Sequence, residues 1–230
     1  MSIQLITFDL DDTLWDTAPV IISAESALRE WLNAHAPRLG PLPVEQVAEI
    51  RKRMVDADPS LKYRISFLRQ RVLAHALAEA GYAQPEAETL AEQAFAVFLE
   101  ARQQVEVFPQ AQPALALLAQ SYTLGVITNG NADVHRIGLG EHFAFALCAE
   151  DMAIGKPDAR LFQEALRRGG VPAGAAVHVG DHPGDDIAGA QAAGMRAIWY
   201  NPRRLPWQGD GRPDAEVASL SEIAEAVRAL

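Results

Sequence analysis

Four short apolar runs punctuate the chain: residues 3–8 (IQLITF), 122–128 (YTLGVIT), 175–180 (AAVHVG) and 196–200 (RAIWY). They lack the strict apolar–polar alternation of a half-exposed strand, which predicts strands buried on both faces. Helical patterns separate the last three. In residues 158–170 (DARLFQEALRRGG), for example, Leu161, Ala165 and Leu166 share a face ahead of a glycine stop. Buried strands alternating with helices imply an α/β fold, a parallel sheet covered on both sides. A weaker strand is expected at 215–218 (AEVA), before a last helix in which Ser219 and Glu222 have capping-box spacing.

Residues 16–104 read differently. They hold no convincing strand but several amphipathic helical patterns, with Pro19, Pro43 and Pro85 at expected helix starts and Gly81 at an expected stop. The predicted organisation is therefore a core of residues 1–15 and 105–230, interrupted after its first strand by an all-helical insertion at 16–104. One stretch, 201–213 (NPRRLPWQGDGRP), has the proline and glycine content of a loop.

At 230 residues, 49% hydrophobic and 22% charged, the chain has ordinary globular composition. A formal charge of -10 argues against a nucleic-acid backbone as partner. No apolar run approaches the roughly 20 residues of a membrane span, so no membrane partner is expected. The single cysteine, Cys148, suits a reducing compartment, and a cytoplasmic location with a monomeric or homodimeric state is the expectation. The local exception in charge is residues 51–71, where Arg51, Lys52, Arg53, Lys62, Arg64, Arg69 and Arg71 face only Asp56 and Asp58. Solvated helix faces account for such a run, and so would a patch that attracts an anionic substrate.

Ligands of an open parallel sheet bind at the carboxyl ends of its strands. There the first run delivers Asp9, the second Thr128 and Asn129, and the third Asp181, with Asp185 and Asp186 close behind. Clustered carboxylates raise one another's pKa unless a cation neutralises them. With oxygen donors and no His or Cys cluster, Mg²⁺ is the natural ion. Asp9 and Asp11 lie two residues apart and share a side while the chain stays extended. One carboxylate can then attack a phosphoryl group while the other moves protons.

The motifs DLDDTLWD, ITNG, GKPD and VGDHPGDD, in this order and at these strand ends, resemble those of the haloacid dehalogenase superfamily of aspartate-nucleophile phosphatases. The resemblance implies a three-layer Rossmann-like core with a helical cap between the first two motifs. It also implies Mg²⁺-dependent hydrolysis of a small phosphorylated metabolite. Asp9 would be nucleophile and metal ligand, and Asp11 general acid and base, lending its backbone carbonyl to the metal. Thr128, Asn129 and Gly130 would bind the phosphoryl oxygens, Lys156 would neutralise the intermediate, Asp181 would ligate the metal, and Asp186 would be a supporting acid. Within the superfamily the likeness is to bacterial phosphatases of FMN and of 5-amino-6-(5-phospho-D-ribitylamino)uracil.

The remaining residues have blander expectations. Asp12 suits a local turn, Asp185 a helix start, His182 the rim of the site, and His178, inside a strand, packing. Trp31 and Trp199 are expected in the core. Trp15 is a candidate substrate contact, and the loop around Trp207 is expected at the surface. A 2-haloacid dehalogenase, whose Asp attacks carbon without a metal, and a non-catalytic phosphoester-binding module are the rival readings.

Overall fold

In the computed structural model, which describes residues 2–230, the apolar runs assemble into one parallel sheet of order β3-β2-β1-β4-β5-β6. Its strands are β1 (Leu5–Phe8), β2 (Thr123–Thr128), β3 (Phe145–Cys148), β4 (Ala176–Gly180), β5 (Arg196–Tyr200) and β6 (Ala215–Val217). The helices, in chain order, are α1 (Thr17–His35), α2 (Val44–Ala57), α3 (Ile65–Glu79), α4 (Gln84–Arg102), α5 (Ala111–Leu118), α6 (Val134–Ile137), α7 (Ala149–Met152), α8 (Ala159–Gly169), α9 (Gly189–Ala192) and α10 (Ile223–Ala229). The chain forms two units: one comprises everything up to Asp16 together with Glu106–Leu230, the other Thr17–Val105.

The sheet unit is built on strands buried on both faces, since every residue of β1 and β4 is buried. On one face Leu5, Ile127, Leu147, Ala176, Ala197 and Trp199 pack against Leu161, Phe162 and Ala165 of α8. Two details depart from expectation. The edge strand β3 (FALC) was not expected from the sequence. It is four residues long and mostly incompletely buried, so it lacks the apolar run that marks the central strands. Trp15, a candidate substrate contact in the sequence, is wholly buried. The capping box at Ser219 and Glu222 forms as expected.

In the helical unit, α1 buries Val20, Ala24, Leu28 and Leu32 at four-residue intervals. The stripe from Ala24 onward packs with Ala87, Ala91, Phe95 and Phe98 of α4 and Leu73 and Leu77 of α3. Each fully buried Leu or Phe contributes about 1.5–3 kcal/mol. The basic segment is partly neutralised: Lys52 pairs with Asp56 at 2.5 Å, and Arg69 pairs with Glu25 of α1 at 2.5 Å while lying 3.9 Å over the Phe98 ring. Pro19 falls in the first turn of α1, where a missing N–H costs nothing, and Pro43 immediately precedes α2.

Candidate active site

The strand order reverses direction at β1, whose neighbours are β2 and β4. This is the switch point where α/β sheets open a crevice. Asp9 continues the ladder just past β1, its N–H donating to the Val179 carbonyl at 2.9 Å. The chain then turns, with the Leu10 carbonyl accepting from the N–H groups of Thr13 and Leu14. Asp12 sits in this turn at φ +60°, which agrees with a local turn role. Asp11 lies on the turn, where its Oδ1 accepts from the Trp15 indole N–H at 2.9 Å. The extended geometry expected to carry Asp9 and Asp11 side by side thus ends in a turn, and the buried Trp15 serves as a support for Asp11.

Asp181 follows β4, and residues 183–188 form a wide π-type turn that brings Asp186 back over the strand end. One carboxylate oxygen from each of Asp9, Asp181 and Asp186 lies within 4.8 Å of the others. Lys156 is the buried cation among them, with Nζ 2.7 Å from Asp9 and 2.6 Å from Asp186. Burial alone would raise the Asp186 carboxyl, yet Lys156 and the His178 hydrogen bond hold it well below the usual carboxylate range. Burial would depress the Lys156 ammonium, but Asp186 and Asp9 raise it above the usual lysine value. At Asp9, burial wins over the pull of Lys156 and pushes the carboxyl well above the usual range. Asp181 is pushed up to about 6 by burial and by the charges of Asp186 and Asp12. Two adjacent carboxyls that resist ionisation are what a cation would relieve. An all-oxygen donor set of this kind fits a hard divalent ion.

Lys156 is also fixed through its backbone. The Asn129 side chain donates from Nδ2 to the Lys156 carbonyl (3.0 Å) and accepts the Lys156 N–H at Oδ1 (2.8 Å). It therefore clasps one loop to another, and its Nδ2 also reaches Asp185 Oδ2 at 3.4 Å. Thr128 is buried, and its hydroxyl oxygen accepts the Gly130 N–H at 2.9 Å. Trp199 donates its indole N–H to the Asp181 carbonyl (2.8 Å) and meets Trp207 edge-on at 5.0 Å, which ties the 201–213 loop to the base of Asp181. His182 caps the turn, its Nδ1 accepting the Asp185 N–H. His178, expected to be mere packing, instead bridges Thr7 and Asp186.

Gly180 is required by this architecture, because a Cβ there would lie 2.3 Å from the Asp186 carboxyl carbon. Gly180→Ala is expected to displace Asp186, lower turnover, and cost about 1–3 kcal/mol as an overpacked site. Urea denaturation alongside steady-state rates checks this, and unchanged values for both would contradict the close approach.

The sequence model of the haloacid dehalogenase-like hydrolases matches residues 3–194. The chain is 31% identical over 229 residues to the 5-amino-6-(5-phospho-D-ribitylamino)uracil phosphatase YigB of Escherichia coli, covering 98% of this chain and 96% of that protein. It is 38% identical over 161 residues to a phosphoserine phosphatase of Thermus thermophilus, covering 67% of this chain and 63% of that one. A crystal structure described as a 2-haloacid dehalogenase from Pseudomonas syringae pv. tomato superposes with a TM-score of 0.97 at 63% identity, covering 99% of both chains.

Proposed function

The chain belongs to the haloacid dehalogenase-like hydrolases, and we propose that within them it is a Mg²⁺-dependent phosphomonoesterase acting through a phosphorylated Asp9. The observation that carries this reading is the Lys156 ammonium seated between Asp9 and Asp186, beside a three-carboxylate cluster at the sheet's switch point. A nucleophilic carboxylate, a fixed cation and an all-oxygen ion site together meet the needs of phosphoryl transfer, which depends chiefly on alignment and charge neutralisation. Asp9 and Asp181 would hold Mg²⁺, with the backbone carbonyl of Asp11. When bound, the ion neutralises charge on the phosphoryl oxygens.

In the first step an Asp9 carboxylate oxygen bonds to phosphorus as the P–O bond to the alcohol breaks. Asp11, oriented by Trp15, gives a proton to the departing alkoxide. Lys156 stabilises the added negative charge, together with the Thr128 hydroxyl and the backbone N–H of Asn129, while the Gly130 N–H holds the Thr128 oxygen in place. In the second step Asp11, now ionised, takes a proton from water. The hydroxide attacks phosphorus, and inorganic phosphate leaves with the Asp9 carboxylate restored. We assign the helical unit the role of a cap that excludes water and chooses the substrate. The substrate class is small phosphorylated metabolites, and the similarity to YigB favours the phosphorylated riboflavin precursor or FMN.

A second reading is favoured by the 63% identity to the Pseudomonas protein: Asp9 would attack the halogen-bearing carbon of a 2-haloacid and expel halide. That reaction has no leaving alkoxide, and so no use for the carboxyl of Asp11. Release of phosphate and of halide, each measured over a panel of phosphate esters and 2-haloacids with Mg²⁺ and with chelator, separates the two. Chelator-sensitive phosphate release is expected. Halide release that persists in chelator, with no phosphate from any ester, would replace this reading by the second.

A further inference from the structure

Asp186 is wholly buried, and its two oxygens receive three donors from three directions. Oδ1 takes the Lys156 ammonium at 2.6 Å and lies 3.1 Å from His178 Nε2, while Oδ2 takes the His182 N–H at 2.9 Å. His178 belongs to β4 and is the register partner of Thr7 in β1. The Thr7 hydroxyl lies 2.8 Å from its Nδ1. Thr7, His178 and Asp186 are all at 0% exposure, and the Phe162 ring meets the imidazole edge-on at 5.2 Å. Burial holds His178 below the ordinary imidazole value against the pull of Asp186, so the ring is neutral and carries one N–H. A carboxylate can only accept, whereas a hydroxyl can donate to a bare ring nitrogen. The arrangement that satisfies both neighbours therefore has Nε2–H donating to Asp186 and Thr7 donating to Nδ1.

We infer that His178, held in its Nε2–H tautomer by Thr7, is a positioning residue that anchors the Asp186 carboxylate from the sheet and, through it, the Lys156 ammonium beside Asp9. The inference rests on the proposed role of Lys156 in neutralising the transferred group. Lys156 divides its donors between two carboxylates at nearly equal distance. If Asp186 loses its anchor, the ammonium shifts toward Asp9, where it pairs with the nucleophile in the resting site and is less well placed for the transition state. The expected effect falls on kcat, with KM little changed.

The test compares His178→Gln, His178→Asn and His178→Leu, with Thr7→Val and Thr7→Ser as a second series that spares the ring. Gln can place an amide N–H near the Nε2 position, and Asn only near Nδ1. Loss of an orienting hydrogen bond of this kind costs about 10- to 100-fold. That drop in kcat is expected for His178→Leu and His178→Asn, with substantial recovery in His178→Gln. Thr7→Val is expected to fall below Thr7→Ser. Nitrogen-15 histidine spectra of the wild-type protein should show Nε2 protonated. Equal kcat for Gln and Asn variants, equal kcat for the two Thr7 variants, or a protonated Nδ1 would overturn the inference. If His178→Leu does not fold, the Thr7 pair and the tautomer decide. Failure of the phosphatase reading shows separately, as absence of phosphate release by the wild type, and the same rate ratios are then read on halide release.

Discussion

Replacing Asp9 by Asn is expected to abolish turnover, with a loss on the order of 10⁴-fold or more, while leaving the fold intact. A carboxamide oxygen is a poor nucleophile toward phosphorus and cannot carry the phosphoryl group as an acyl phosphate, so no partial activity by the same route remains. Stability should change little. Asp9 is buried, with a carboxyl that already resists ionisation, and Lys156 keeps its shorter contact to Asp186 when the Asp9 charge is removed. The urea midpoints of variant and wild type should correspond to a difference within about 1 kcal/mol, as for a mutation that leaves no new unpaired group. Retained phosphate release in Asp9→Asn would refute the nucleophile assignment. A large loss of stability would mean instead that Asp9 is a structural carboxylate.

Lys156→Met has the opposite signature, damaging both fold and function. Lys156 is the cation between the Asp9 and Asp186 carboxylates, with a side chain only 2% exposed. Removing one partner of a buried ionic set leaves uncompensated charge and costs about 3–5 kcal/mol. The pH dependence follows from the directions of the shifts. In the wild type, Asp186 lies well below the usual carboxylate range, so its contribution to stability is present above the unfolded-state value of about 4 and is lost as pH falls below it. Without Lys156 the buried Asp186 carboxyl is raised, its ionisation destabilises the fold, and that penalty disappears on acidification. The stability gap between wild type and Lys156→Met is therefore expected to be widest near neutrality and to narrow toward about pH 4. Denaturant titrations across that range check it, and a gap independent of pH would contradict the ion-pair account.

Much of the fold was legible because the central strands are buried on both faces and so appear as continuous apolar runs. β3 escaped because an edge strand of four residues, only one of them fully buried, carries little such signal. The acids of the site were legible for a related reason, since Asp9 and Asp181 directly follow apolar runs and strand ends are where this fold binds ligands. What escaped were contacts that need the third dimension. Thr7 and His178 meet across a register that joins residues 171 apart in the chain, and nothing local to either marks them as a pair. The Asn129 clasp on Lys156 spans 27 residues, and the strand-end position of Asn129 suggests a phosphoryl contact without disclosing that its amide is spent on Lys156. Trp15 was a candidate substrate contact because an aromatic sits within the first motif, whereas here the indole fills the core and spends its N–H on Asp11.

The most direct test of the central claim is acid quenching during turnover of a phosphate ester with Mg²⁺, followed by mass spectrometry of the peptide that carries Asp9. A phosphoryl group on Asp9, formed and lost at rates compatible with turnover, is the predicted result. An Asp9 that stays unmodified in wild-type protein throughout active phosphate release would contradict the account.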